Sequence, residues 1–213
     1  MTRLRLRLSI SLDGHVAGPN QSVQNPLGEG GEDLHQWVFP LAAWRKPHGL
    51  EGGEKNESTP VVEEELTNIG ATIMGRNMFG GHPGPWDRTK PWMGWWGARP
   101  PFHHPVFVVT THARPPLEME GGTVFTFVTE GIEEAYELAR RAANGKDVAL
   151  AGGANISQQY LNAGLVDEMQ LHVVPILLGS GARLFDGVKD LHGLRLVKTV
   201  AAPNVTHLKF VRE

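Results

Sequence analysis

The chain has 213 residues, 40% of them hydrophobic and 20% charged, enough for one large α/β domain with a substantial core or for two small ones. A net charge of −3 provides no electrostatic footprint for nucleic acid or an anionic membrane. The absence of cysteine excludes disulfides and thiolate metal sites and fits a reducing cytoplasm, and no run approaches the length of an apolar membrane span.

Residues 3–10 alternate charge with leucine and isoleucine, the pattern of a half-buried strand rather than of a signal peptide. Asp13-Gly14 then signals a turn, and residues 19–32 read as a loop rich in Gly, Asn and Pro. Leu34, Trp37, Val38, Leu41 and Trp44 fall at helical spacing, with Pro40 imposing a kink or a split into two short helices. After a polar loop at 46–58, Thr59-Pro60 opens a helix that runs towards Gly70, with Thr59 as its N-cap and Glu63, Glu64 and Glu65 as a solvated face.

Ala71 to Met74 reads as a buried strand, delivering the chain to Gly75-Arg76-Asn77, a turn with a basic residue at its mouth. Residues 80–104 are irregular and carry Trp86, Trp92, Trp95 and Trp96. Such aromatics are costly to leave in water, so they are expected to be buried against a partner subunit or over a cleft. His103-His104 has no carboxylate at metal-like spacing, and no metal site is expected. The apolar run at 106–109 marks a strand covered on both faces and ends in Thr110-Thr111-His112 and Arg114. A strand at 123–128 precedes a helix from Ile132 to about Ala143, capped by Thr129 or Glu130.

Asp147 to Gly164 reads as a short apolar strand, a Gly152-Gly153 turn and a helix closed by glycine. Paired glycines at a helix start let an anion approach bare backbone N–H groups, although a plain tight turn is an equally good reading of this stretch alone. Residues 166–178 read as a long strand with an edge or bulge near Pro175, residues 179–185 as a loop, and residues 194–201 and 205–212 as a closing hairpin. There is no inter-domain linker, so a single domain spanning 1–213 is expected. Its class is α/β, with a mostly parallel mixed sheet, helices on both faces and a C-terminal antiparallel hairpin.

In such sheets ligands sit beyond the carboxyl ends of the strands, where Asp13 to Gly18, Gly75 to Asn77, Thr110 to Arg114 and Gly152 to Ile156 all fall. Two basic junctions beside a glycine turn suit a dinucleotide with an extra phosphate, hence NADP rather than NAD. No GxGxxG, GxxxxGK[ST] or GxSxG motif occurs, so a standard Rossmann fingerprint, a P-loop and a serine nucleophile elbow are all missing.

Taken in order, Ser11-Leu12-Asp13-Gly14, Met74-Gly75-Arg76-Asn77-Met78-Phe79, Val108-Val109-Thr110-Thr111-His112, Gly152-Gly153-Ala154-Asn155-Ile156 and the tail Asp167-Glu168 through Pro175 to Leu178-Gly179-Ser180-Gly181 resemble the dihydrofolate reductase-like superfamily. The nearer likeness is to its riboflavin-biosynthesis branch, the C-terminal reductase domain of the bifunctional deaminase-reductase, and it spans nearly the whole chain. The resemblance implies an NADPH-binding reductase, often a homodimer, acting on a small heterocyclic (pterin- or aminopyrimidine-like) or carbonyl substrate. It puts Ala17 and Gly18 near the nicotinamide and Gly75, Arg76, Asn77, Thr110, Thr111 and His112 at the adenosine-side phosphates. Gly152, Gly153, Ala154, Asn155 and Ile156 would hold the pyrophosphate. Asp13 and Asp33 are the candidates for a protein acid, with water an equally good donor. A non-catalytic NADP or pterin sensor and a dimeric scaffold are the competing readings.

Overall fold

The computed structural model describes residues 2–213. Eleven strands and five α-helices follow one another as β1 (Leu4–Ser11), β2 (His15–Ala17), α1 (Ala42–Arg45), α2 (Thr59–Leu66), β3 (Ile69–Gly75), α3 (Arg76–Phe79), β4 (Pro105–Val109), β5 (Leu117–Glu118), β6 (Val124–Val128), α4 (Ile132–Ala142), β7 (Asp147–Leu150), α5 (Ala154–Asn162), β8 (Glu168–Val174), β9 (Ala182–Arg183), β10 (Leu194–Ala202) and β11 (Val205–Arg212). Nine strands form one sheet in the order β10-β11-β8-β1-β7-β3-β4-β6-β5. From β8 to β6 all neighbours are parallel, and β11, β10 and β5 run antiparallel, which is the mixed sheet and terminal hairpin the sequence predicts. Among the described residues no helix is long and apolar enough to cross a membrane.

The two faces of the sheet follow from strand alternation. On one face Leu4, Leu6, Ile73, Phe107, Val148 and Leu150 meet Ala135 and Ala139 of α4 and Ile156, Tyr160 and Leu161 of α5. Full burial of each such leucine contributes about 1.5–3 kcal/mol. The Tyr160 hydroxyl joins this core because it donates to Ile132 O at 2.7 Å. The opposite face carries a mixed aliphatic and aromatic cluster around Leu34, Trp37, Leu41 and Val62, and a mainly aromatic one in which Trp86, Trp92 and Trp96 pack on Phe79, Val108 and Phe125.

Between those two clusters the second face is polar, and this corrects the expectation for the first strand. β1 lies in the middle of the sheet, covered on both sides, not half in water. Its arginines are accommodated because Arg5 Nε donates to Glu168 Oε1 at 3.0 Å and lies 3.7 Å from Asp147. A buried arginine is tolerable only with such partners. Glu65 likewise leaves the solvated face assigned to it and reaches 3.0 Å from His172 Nε2.

Other boundaries shift for local reasons. Ser58, not Thr59, precedes α2, since the Thr59 hydroxyl accepts from Asn56 N at 2.9 Å instead of capping the helix. The expected helix at 33–45 splits at Pro40 into a 3-10 turn, Gly31–His35, and the single turn of α1. β8 stops at Val174, one residue before Pro175, and is an interior strand flanked by β1 and β11. Residues 182–183, read as loop, form β9 and pair with β2 in a separate two-stranded ribbon.

Candidate functional site

Strands β3, β4, β6 and β7 finish along one edge of the sheet, and a cavity of about 990 Å3 opens there. Cross-links tie its rim together: Gly75 N donates to Gly152 O at 2.8 Å and Thr110 N to Val128 O at 3.0 Å. α5 begins at this edge from Gly153, with no side chain capping it. Its first internal bond runs from Ser157 N to Gly153 O at 3.2 Å, leaving the N–H groups of Ala154, Asn155 and Ile156 without intrahelical partners. α4 also begins here without a side-chain cap, but Glu133 and Glu134 already fill its first turn with negative charge, whereas the first turn of α5 carries none. A Cβ built on Gly153 meets nothing within 4 Å, so the space before the α5 N-terminus is open. Bare donors at the positive end of a helix beside open space form an anion site.

The cavity brings together most of the residues predicted to bind a coenzyme. Ala17, Gly75, Arg76, Asn77, Thr110 and Thr111 line it from one side, and Gly153, Ala154, Asn155 and Ile156 from the other. Three predicted residues stand behind the wall rather than in it. Gly18 lets two loops cross, since its N–H donates to Leu27 O at 2.8 Å and a Cβ there would lie 1.9 Å from Glu29 O. Gly152, at φ +103°, gives its carbonyl to Gly75, and its peptide bond to Gly153 is cis. His112 contributes main chain, its carbonyl accepting from Trp86 Nε1 at 2.6 Å.

The guanidinium of Arg76 lies 3.5 Å over the Trp86 ring, with Arg114 4.7 Å from the same ring, and Arg76 Nη2 donates to His82 O at 2.8 Å. Burial, helped by Arg114, brings its pKa down to about 10, so it remains a cation at neutral pH. Its Nε and the nearby Trp95 Nε1 are both buried with no hydrogen-bond partner among the described residues. Arg76 and Trp95 line the cavity, and these two nitrogens, enclosed within its wall, are donors left without an acceptor. Trp95 and Trp96 belong to this wall, so segment 80–104 folds back over the chain's own sheet and cleft.

Neither carboxylate nominated as an acid lines the cavity. Asp13 is a structural cap: its oxygens accept from Ser11 Oγ at 2.6 Å, Gly179 N at 2.7 Å and Leu178 N at 3.1 Å. The bond from Ser11, followed by those from the two amides, holds its carboxyl far below the usual range, which removes it as a proton donor near neutrality. Asp33 is exposed on the turn that precedes α1.

His35, two residues further on, does line the cavity, with a buried Nδ1 that has no hydrogen-bond partner among the described residues. Burial lowers its pKa, so it is a neutral imidazole at pH 7. His35 carries no motif of its own in the sequence, where only the apolar spacing of Leu34, Trp37, Val38 and Leu41 marks this stretch. Arg183, Thr129 and Gly131 were also missed as cavity residues. Thr129 and Gly131 follow a strand end as Gly75 and Thr110 do, and that rule could have found them. Arg183 arrives through the β2–β9 pairing, which leaves no local signal. Among the described residues no group of three His, Asp or Glu side chains is placed to hold a metal ion.

The model of the family described as the RibD C-terminal domain matches residues 2–208. Among curated proteins, two Bacillus subtilis relatives described as uncharacterized, YyaP and YwjB, are 40% and 31% identical over 74 and 87 residues. Those stretches are 34% and 41% of this chain and span only 38% and 49% of the relatives' own lengths. The riboflavin biosynthesis protein RibD of Corynebacterium ammoniagenes is 34% identical over 65 residues, 30% of this chain and 18% of that protein. Among solved structures, Acinetobacter baumannii RibD superposes with a TM-score of 0.58 at 19% identity, covering 100% of this chain and 58% of that one. Enterococcus faecalis dihydrofolate reductase, solved with NADP(H), gives 0.52 at 11% identity, covering 99% and 96%. The fold is thus dihydrofolate reductase-like, and the chain belongs to the family of RibD C-terminal domains.

Proposed function

We propose that the chain is a single-domain, NADPH-dependent reductase that delivers a hydride to a small heterocyclic, pterin- or aminopyrimidine-like, or carbonyl substrate. One observation carries this reading: the uncapped start of α5, the open space before Gly153 and the threonine and arginine junctions of β3 and β4 meet in one cavity. Its volume of about 990 Å3 lies at the upper end for small-molecule sites, which suits a dinucleotide together with an acceptor. The N–H groups of Ala154, Asn155 and Ile156 would hold the pyrophosphate, and Thr110, Thr111 and Arg76 the adenosine end. Arg76 would have to turn its free edge from Trp86 towards a phosphate, and its unused Nε is the donor available for that. Bound NADPH supplies the hydride. Ala17 leaves room for a flat ring against the β2 backbone, Trp95 and Trp96 exclude water, and neutral His35 offers a hydrogen bond to a substrate heteroatom. With Asp13 committed to two amides, a solvent molecule is the proton source most consistent with the cavity.

Titrating the protein with NADPH and NADH while following tryptophan fluorescence tests the first step, because Trp95 and Trp96 line the cavity. Saturable binding with NADPH tighter than NADH is expected, and binding of neither overturns the reading. A coenzyme sensor without turnover is favoured by one observation: Asp186 is the only acid among the cavity residues, and it is exposed and 3.5 Å from Arg183. Oxidation of NADPH with any pterin or aminopyrimidine acceptor eliminates that alternative. We also propose a cytoplasmic homodimer, supported by the lack of cysteine and by Leu196 and Val197, exposed on edge strand β10. Sedimentation as a monomer at micromolar concentration would remove the dimer.

A further inference from the structure

The His103-His104 pair has no part in the coenzyme cleft. It lies at the start of β4, at the other end of the sheet, where it lines a second cavity of about 830 Å3. Lys46 beyond α1, Glu63 and Thr67 of the α2 region, Gly70 of β3 and Lys146 behind α4 complete the wall, and no residue lines both cavities. Arg7, Lys46 and Lys146 bring three full positive charges to this space and the two histidines add imidazoles, with Glu63 the only acid among the lining residues.

Arg7 differs from Arg5 on the same strand face. Arg5 is neutralised by Glu168 and Asp147. Arg7 spends one nitrogen, Nη1, on Glu65 O at 3.2 Å, and its Nε and Nη2 have no hydrogen-bond or ion-pair partner among the described residues. Burial lowers the Arg7 pKa, the Glu65 carboxylate opposes this from a distance and Arg5 adds to it, while the close contact of Glu65 is with His172 at 3.0 Å. His104 is pinned by Thr72 Oγ1 at 2.7 Å. Its pKa is pushed down to about 4, first by burial and then by the positive charges of Arg7, His103 and Lys146. His103 is turned by a bond from Nδ1 to Gly121 O at 2.9 Å. The result is a half-enclosed space in which positive charges outnumber the one acid lining it, with two open donors on a half-buried arginine, whose planar fork matches phosphate oxygens.

We propose that this second cavity binds a small, multiply charged anion of the phosphate or pyrophosphate type, gripped by Arg7 and surrounded by Lys46, Lys146 and His103. The site is separate from the coenzyme cleft and stands or falls without it. The test is calorimetric titration of the full chain with inorganic pyrophosphate, with the imidazole NMR signals of His103 and His104 followed in parallel. Pyrophosphate is expected to bind, to move those signals, and to bind about tenfold or more weakly to the Lys46→Glu/Lys146→Glu variant, whose substituted side chains are both exposed. Arg7→Met is expected to abolish binding. If removing this half-buried cation unfolds the chain, the double lysine variant still decides. The Asn155→Asp variant, altered only in the coenzyme cleft, is expected to keep both the affinity and the signal shifts. No binding at millimolar pyrophosphate, unchanged affinity in the double lysine variant, or binding lost in Asn155→Asp without movement of the histidine signals would each overturn the proposal.

Discussion

Asn155→Asp separates helix stability from anion binding at the start of α5. Asn155 is exposed in the first turn, lines the cavity, and its Oδ1 accepts from Gln159 Nε2 at 2.8 Å, a bond the isosteric aspartate keeps. A carboxylate in a first turn otherwise free of acids gains about 0.3–1 kcal/mol from the helix dipole. For a chain of this size that raises the melting temperature of the free protein by about 1–4 °C. The same charge repels a bound phosphate: at roughly 5–6 Å and an effective dielectric between about 20 and 80, one pair of unit charges costs about 1–3 kcal/mol. NADPH affinity is therefore expected to fall about fivefold to 150-fold, and the loss is expected to shrink as salt is raised. Differential scanning fluorimetry without ligand, paired with NADPH titration at two ionic strengths, reads both effects. A variant that gains stability yet binds NADPH within twofold of the parent would refute the assignment of the phosphates to α5.

Three further outcomes follow from particular contacts. His207 is buried against His172, and burial first, then the positive charge of His172, bring its pKa down to about 4, as for His104. Unfolded imidazoles titrate near 6.5, so between pH 6.5 and 4 the unfolded chain binds more protons. The contribution is complete above pH 6.5 and is lost as pH falls towards 4, by about 2 kcal/mol for His207 in urea melts across that range. His207→Phe should flatten the slope. Asp13→Asn should lower the melting temperature, because the charge-assisted bonds to Leu178 and Gly179 weaken, and leave the pH profile of kcat unchanged; a lost turnover with intact binding would restore Asp13 as the acid. Gly80→Ala puts a Cβ 2.3 Å from Trp95 Nε1 at φ +86°, which should cost about 1–3 kcal/mol in denaturant melts and weaken NADPH binding through a displaced cavity wall.

What was legible in the sequence depended on how local its cause was. The extent of β1, the Gly152-Gly153 turn and the Pro203-Asn204 hairpin are set by neighbouring residues, and each appears where the pattern puts it. The cavity rim was legible because every contributing segment obeys one rule, that chain leaving a parallel strand crosses the same edge. What escaped depends on pairings distant in sequence. A carboxylate two residues past a strand reads equally well as a catalytic acid or as a cap, and only the arrival of Gly179, 166 positions away, makes Asp13 a cap. Arg5 and Arg7 follow the same logic in reverse. Alternation marks both as solvent-facing, and the α2 helix returning over β1 turns that face into an interior. There Arg5 meets Glu168 and Asp147, while Arg7 meets a backbone carbonyl and open space. Identical residues in an identical local pattern thus take different roles, one held by two close carboxylates and one on which Glu65 acts only from a distance, because tertiary packing brings acids into contact with only one of them.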